Sequence, residues 1–422
     1  MIDIGKLYCF CTSSGEATAF GEDATARLPV KEPGLQLLPP SASQRKPVVY
    51  WNSTRACQAD FPHSDTHSRG PESGRELTTD EAQLMFRDLA RFGVPVLVLA
   101  GGEPLLRSDL LELIAYAQGD GIRPVLWTNG LLINHALAVR LKRAGTAHVV
   151  VSLDGVGAAN GRRRGVKALW EEVLPGLRHC REAGLRLGVR LTLTQRNLRN
   201  LQNFFDFFET ERIDRVLLCH AVGAGRASRR PSDGPSHQET RQAMDLILER
   251  TAAMQQRGFP IQVFTAHNHV DGVYIYLKLR KKDPVRAAEV YRLLKLEGGG
   301  RFGSGVGLGS IDAEGDVHPD PFWTHYTFGN VRERPFGEIW QDLSDPLMAG
   351  LKDHLPRLKG RCAHCLFQGL CGGNLRVRAD LAYGDPWMPD PACYLSDEEL
   401  SREIPPRRDV LEKHVQLEEK AA

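Results

Sequence analysis

Two textures alternate along the chain. Short apolar runs at 48–53, 94–100, 124–128, 148–153, 187–194 and 215–220 are rich in Val, Leu and Ile on both of their faces, the pattern of strands buried on both sides of a parallel sheet. Between them, apolar residues recur three and four positions apart at 79–92, 109–118, 136–144, 170–183 and 198–211. That spacing predicts amphipathic helices of a length suited to crossing over between parallel neighbours. Six strand-and-helix repeats predict an α/β fold, a partial (β/α)6 parallel barrel over 47–222, whose functional side chains should lie at the C-terminal ends of the strands.

The flanks read differently. Residues 1–46 mix Gly, Pro, Ser and Thr without a sustained period and read as a loosely ordered arm. Residues 223–300 read as a helical connecting region, with helices at 240–256 and 286–296 and a glycine break at 298–300. His267 and His269 within it read as surface histidines, with approach to a ligand or substrate as the alternative. A smaller module over 301–400 opens with a hairpin at 311–318 and short helices at 336–341 and 346–352, and a charged tail occupies 401–422.

Composition narrows the function classes. The chain has 422 residues, 42% hydrophobic and 25% charged, with a formal net charge of +2, so it carries no electrostatic footprint for nucleic acid. No run approaches the ~18 apolar residues of a membrane span, and the first thirty positions lack the order of a secretory signal. A cytoplasmic protein is expected. Its nine cysteines are then reduced thiols available to metals, at Cys9, Cys11, Cys57, Cys180, Cys219, Cys362, Cys365, Cys371 and Cys393.

Four of the nine fall within 362–393, as Cys362-Ala-His-Cys365, Cys371-Gly-Gly and Cys393. Soft thiolates at this spacing, with glycines that let the backbone turn, suit one metal centre. Spacing alone leaves zinc and an iron-sulfur cluster both open. Cys9 and Cys11 read as incidental thiols of the arm.

With these residues in view the chain resembles the radical S-adenosylmethionine (SAM) superfamily. Cys-x2-Cys-x5-Cys-Gly-Gly with a distant fourth cysteine is similar to its SPASM or twitch auxiliary-cluster module. The resemblance implies a 4Fe-4S cluster on Cys362, Cys365, Cys371 and Cys393. Gly101-Gly102-Glu103-Pro104 after the second strand resembles the superfamily motif that contacts the methionyl amino group of SAM. Asn129, Ser152 and Asp154 after the third and fourth strands, and Arg190 on the fifth, resemble further SAM contacts.

From about Lys46 to Leu400 the likeness is to the haem d1 biosynthesis branch, carried by Asp316-Val-His-Pro-Asp320, Phe322-Trp323, 329–336, 345–352, 358–362 and Asp385-Pro-Trp387. It implies a tetrapyrrole substrate, SAM, a second 4Fe-4S cluster, an electron donor such as a ferredoxin or flavodoxin, and radical removal of propionate side chains from a didecarboxysirohaem precursor. A macrocycle with acidic arms needs aromatic walls and cationic anchors, for which Phe322, Trp323, His325, Arg332 and Arg334 are candidates beside a packed turn with surface arginines.

One motif departs from the pattern. The superfamily's first strand leads into Cys-x3-Cys-x2-Cys; here Trp51-Asn-Ser-Thr-Arg-Ala-Cys57 matches, but Phe61 and Ser64 occupy the other two ligand positions and Asp65 follows. Phenylalanine has no donor atom, and a serine oxygen is too hard to match a thiolate. His63 and His67 read as solvent-facing. A degenerate paralogue, a variant with unusual ligands and damage to this gene copy all remain open, and an inactive paralogue that binds a tetrapyrrole or cluster to assist an active homologue is the alternative to an enzyme.

Overall fold

The computed structural model describes residues 1–9, 45–58, 75–153, 161–224, 234–259 and 261–401. Its strands, in chain order, are β1 (Ile2–Asp3), β2 (Val48–Asn52), β3 (Val96–Ala100), β4 (Arg123–Thr128), β5 (His148–Ser152), β6 (Leu187–Leu193), β7 (Arg215–His220), β8 (Gln262–Ala266), β9 (Leu308–Ile311), β10 (Asp316–His318) and β11 (Gly329–Asn330). They form one sheet in the order β1-β8-β7-β6-β5-β4-β3-β2-β9-β10-β11. Every pairing from β2 through β8 is parallel, and β9 joins β2 in parallel. The C-terminal module therefore continues the barrel's own sheet.

The connections are helical: α1 (Thr79–Phe92), α2 (Leu110–Gly119), α3 (His135–Arg143), α4 (Gly161–Glu182), α5 (Gln195–Leu198), α6 (Leu201–Thr210), α7 (His237–Gln256), α8 (Val270–Lys282) and α9 (Pro284–Glu297). Local chemistry sets their ends. Thr78 and Glu81 cap α1 reciprocally, and Gly93, at φ 91°, ends it in the left-handed conformation. Alternate strand residues face the helices: Val49, Trp51, Leu97, Leu99, Leu126, Val149, Val151, Val189 and Leu191 pack in the outer core with Phe86, Leu113 and Phe205. Each fully buried side chain of this kind contributes about 1.5–3 kcal/mol. The opposite residues, Val48, Val96, Val98, Val125, Val150 and Leu217, line the concave inner face.

Two expectations change. The 223–300 stretch is more than a helical connection, because β8 inside it adds a seventh parallel strand and α8 follows. β8 is a five-residue strand between two helices, and its polar Gln262 and Thr265 break the apolar run that marks the other strands. The arm is partly ordered into the core: Ile2 and Asp3 pair antiparallel with β8, and Ile2, Ile4 and Leu7 are buried. Cys11 lies outside the described residues. Among the described residues no helix is long and apolar enough to cross a membrane.

Candidate functional site

The C-terminal ends of β2 to β6 carry the first group of expected residues. Gly101 and Gly102 lie against the chain's own segment leading to Cys57. A Cβ on Gly101 would come within 2.7 Å of the Thr54 carbonyl, and one on Gly102 within 2.0 Å of that of Ala56. That approach lets Gly102 N donate to Thr54 O at 2.8 Å and Glu103 N to Ala56 O at 2.7 Å. The glycines' close approach, expected for a ligand, is thus spent on positioning the cysteine-bearing loop.

Glu103 is fully buried. Its Oε1 accepts from Thr128 Oγ1 at 2.8 Å and Leu105 N at 3.1 Å, and its Oε2 from Asn129 N at 2.8 Å. All three donors are neutral, and burial raises its carboxyl above the ordinary range against their pull. A carboxylate offers about four acceptor positions, so a cationic donor would complete the set. Asn129 beside it accepts from Leu131 N at 3.0 Å and Gln58 Nε2 at 3.4 Å, while its buried Nδ2 has no partner among the described residues. An acceptor lacking a cation beside a donor lacking an acceptor suits an amino-acid zwitterion such as the methionyl end of SAM.

Ser152 and Arg190 are register partners on β5 and β6, and the Arg190 guanidinium stands 5.2 Å over the Trp127 ring. Asp154, Phe61, Ser64, Asp65, His63 and His67 lie outside the described residues.

The second group is the cysteine quartet. Cys362, Cys365, Cys371 and Cys393 are all free thiols lining one cavity of about 420 Å³. Burial pushes the Cys371 thiol well above its ordinary value, and Cys393, Cys362 and Cys365 add to that push, so all four sulfurs share one neighbourhood. Cys393 is raised to about 11 by burial. Among the described residues no three His, Cys, Asp or Glu side chains converge closely enough to hold a single ion; the four thiols line a shared space.

Buried Arg376 supplies the charge match. It acts on Cys362 and Cys371, its Nη1 donates to the Pro386 and Met388 carbonyls at 2.8 Å, and its Nε and Nη2 have no partner among the described residues. Orphan donors on a buried cation beside four thiols fit an anionic 4Fe-4S thiolate cluster. The glycine break earns its place here, because a Cβ on Gly299 would lie 2.1 Å from Leu370 O and one on Gly300 2.4 Å from Asn374 O. Gly299 and Gly300 form the floor on which the Cys371 turn rests.

Between the groups lies a cavity of about 820 Å³, walled by Tyr50, Val98, Val125, Trp127 and Leu217 of the lumen and by Phe302, Asn374 and Leu375 of the C-terminal module. Asn374 also lines the thiol cavity, so the two spaces share a wall residue. His267 and His269 line the large cavity and are not surface histidines. Their signal was position, immediately after a strand of the barrel, and it was hidden because β8 itself was not legible.

The expected tetrapyrrole anchors fare differently. Phe322 is buried against His267. Trp323 Nε1 donates to Asp380 at 2.9 Å and His325 lies 2.7 Å from the same carboxylate. Arg332 pairs with Glu81 and with the carbonyls of Glu314, Arg75 and Glu76, and Arg334 pairs with Asp342. Arg332 is committed to docking the module onto the barrel and Arg334 to a contact within the module, not to a substrate.

Comparisons agree with this geometry. Residues 52–208 match the model of the Radical SAM superfamily, and 308–366 that of an iron-sulfur cluster-binding SPASM domain. The chain is 46% identical to the Fe-coproporphyrin III synthase of Methanosarcina barkeri, over 95% of this chain and 99% of that protein. It is 41% identical to the pre-heme d1 synthase of Dinoroseobacter shibae, over 83% and 87%. In fold it is similar to Streptococcus suis SuiB bound to S-adenosylmethionine, with TM-score 0.63 and 18% identity over 83% of this chain and 78% of that one.

Proposed function

This chain belongs to the radical SAM superfamily, with a C-terminal SPASM domain, and from that premise we propose that it binds a carboxylate-bearing iron tetrapyrrole in the barrel lumen, next to an auxiliary 4Fe-4S cluster on Cys362, Cys365, Cys371 and Cys393. Its relatives are radical SAM enzymes of haem biosynthesis. The two domains imply 4Fe-4S clusters and SAM as cofactors.

The observation that carries the reading is the largely apolar cavity of about 820 Å³, which shares Asn374 as a lining residue with the thiol cavity. Trp127 and Tyr50 offer flat faces to a conjugated ring. Arg190, over Trp127, places a guanidinium where a carboxylate arm would need one. An auxiliary cluster, when bound, supplies a one-electron centre beside that ring. Removal of carboxylate side chains is the reaction we propose, and the higher identity and fuller coverage of the Methanosarcina protein favour an Fe-coproporphyrin III product over a haem d1 precursor.

The donor set for the SAM cluster does not fit. Cys57 is the one thiol among the three ligand positions, with Phe61 and Ser64 at the others, and no step is derived through that cluster. This observation favours a second reading, a tetrapyrrole-binding paralogue that serves an active homologue.

Anaerobic reconstitution separates the readings. Tetrapyrrole binding, about four irons per chain and no release of 5'-deoxyadenosine identify the binding paralogue. About eight irons with 5'-deoxyadenosine release identify an enzyme. A colourless protein that binds no tetrapyrrole refutes both.

A further inference from the structure

His267 is the residue whose placement the fold explains least. It is not glycine, yet its φ is +65°, in the left-handed region that strains a side-chain-bearing residue. Contacts on every side hold it there. The main-chain carbonyl accepts from buried Arg378, and the ring meets the Phe322 ring edge-on with centroids 4.7 Å apart. A ring N–H donates to the main-chain carbonyl of His220, at the end of β7.

The chemistry of the ring follows from these contacts. Burial, with Arg190 and Arg378 nearby, keeps the imidazole neutral. A neutral imidazole has one N–H and one lone pair. The N–H is committed to His220, and among the described residues no protein group bonds the second ring nitrogen. A lone pair is therefore left on a residue that lines an 820 Å³ cavity whose other lining groups are mostly aliphatic or aromatic. A ring tied through one nitrogen to a backbone carbonyl, which fixes its tautomer and orients its other nitrogen, is how proteins prepare a histidine to ligate a metal.

We propose that His267 is an axial ligand to the iron of the tetrapyrrole, its free ring nitrogen binding the metal from the β8 side of the cavity. This rests on the reading of the cavity as a tetrapyrrole site. An axial bond would fix which face of the macrocycle lies toward β8 and limit its rotation, so that chosen side-chain positions are presented to the C-terminal ends of the strands. It would also make the site selective for the iron-bearing macrocycle over its metal-free counterpart, a discrimination the apolar walls cannot make. His269 lines the same cavity, with its main-chain N–H held by Asn374 Oδ1 at 2.7 Å, and serves as the control.

The test uses the full chain carrying its auxiliary cluster, titrated anaerobically with iron(III) coproporphyrin III and, separately, with metal-free coproporphyrin III. His267→Asn is the main variant, because asparagine tolerates the left-handed backbone, and His267→Gly is the second. The expected result is an imidazole-ligated iron spectrum in the parent protein and in His269→Ala. In His267→Asn that spectrum is lost and iron-porphyrin affinity falls roughly 10-fold or more, while metal-free porphyrin binding is unchanged. Added imidazole restores the parent spectrum in His267→Gly. Unchanged nitrogen ligation in His267→Asn, or equal affinity of the parent protein for the two macrocycles, overturns the proposal and leaves the cavity reading intact. Failure of the parent protein to bind either macrocycle overturns the cavity reading and the axial ligand together.

Discussion

Replacing Arg378 by methionine tests the joint between barrel and cluster module. The Arg378 Nε lies 3.0 Å from Asp390 Oδ1, and Nη2 lies 3.0 Å from Oδ2. The side chain also reaches the carbonyls of His267 and Ala221, at the ends of β8 and β7. Both charged side chains are almost wholly buried, at 5% and 1% exposure. Removing one member strands the other's charge in the interior, which costs about 3–5 kcal/mol, or at least two powers of ten in the folded-to-unfolded ratio.

Asp390 has further duties, accepting from Leu375 N at 3.0 Å and Ala392 N at 2.8 Å, three residues or fewer from Cys393. The double variant Arg378→Met with Asp390→Leu should therefore recover part of the loss, remaining about 1–3 kcal/mol below the parent because those amides stay unsatisfied. Urea unfolding followed by tryptophan fluorescence, at two salt concentrations, gives the energies. A buried pair should show little salt dependence. Iron content measured in parallel should fall with the single variant as the Cys393 loop loosens. A loss below about 1 kcal/mol with full iron loading would refute the assignment of the joint to this pair.

Other outcomes follow from the same structure. Gly102→Ala, whose methyl would meet Ala56 O at 2.0 Å, should cost about 1–3 kcal/mol in urea unfolding, whereas Gly119→Ala, with nothing within 4 Å, should not destabilise. Arg376→Met should shift the auxiliary cluster's potential to more negative values in an EPR-monitored redox titration, since the buried cation favours the more negatively charged reduced form. His148, near Arg215, Arg186 and Arg123, is lowered by burial and by those cations to about 3 from 6.5. A depressed folded-state value means its contribution is whole above about pH 6.5 and is lost as pH falls toward 3. His148→Leu should accordingly flatten the acid limb of the stability profile across that window.

Legibility in the sequence tracked the length and redundancy of each signal. Six parallel strands, β2 to β7, announced themselves because burial on both faces leaves an almost unbroken apolar run, as in the Val-Leu-Val-Leu-Ala of β3. The cysteine quartet was legible because its chemistry permits few other uses of four thiols. What escaped depended on contacts between distant segments. β8 and β1 gain their meaning from pairing with each other and with β7, which no local period encodes. Arg332 looked free to anchor a substrate until Glu81, 251 positions away, proved to be its partner. Gly101 and Gly102 were legible as close-approach residues, but the surface they approach, the Thr54 and Ala56 carbonyls, was known only from the fold.

That last contact bears on the broken ligand set. The elements that would aim the SAM-cluster loop are all in place: the glycine pair locks 53–57 onto the end of β3, Glu76 Oε1 accepts from Arg55 N at 2.8 Å, and Asn129 reaches Gln58 beside Cys57. Among the described residues the frame leading to this loop persists, while the sequence places Phe61 and Ser64 at two of the ligand positions and Asp65 after them. Phe61→Cys with Ser64→Cys supplies sulfurs at those two positions and nothing else, so the gain or absence of 5'-deoxyadenosine release in that variant measures directly whether the frame alone is sufficient.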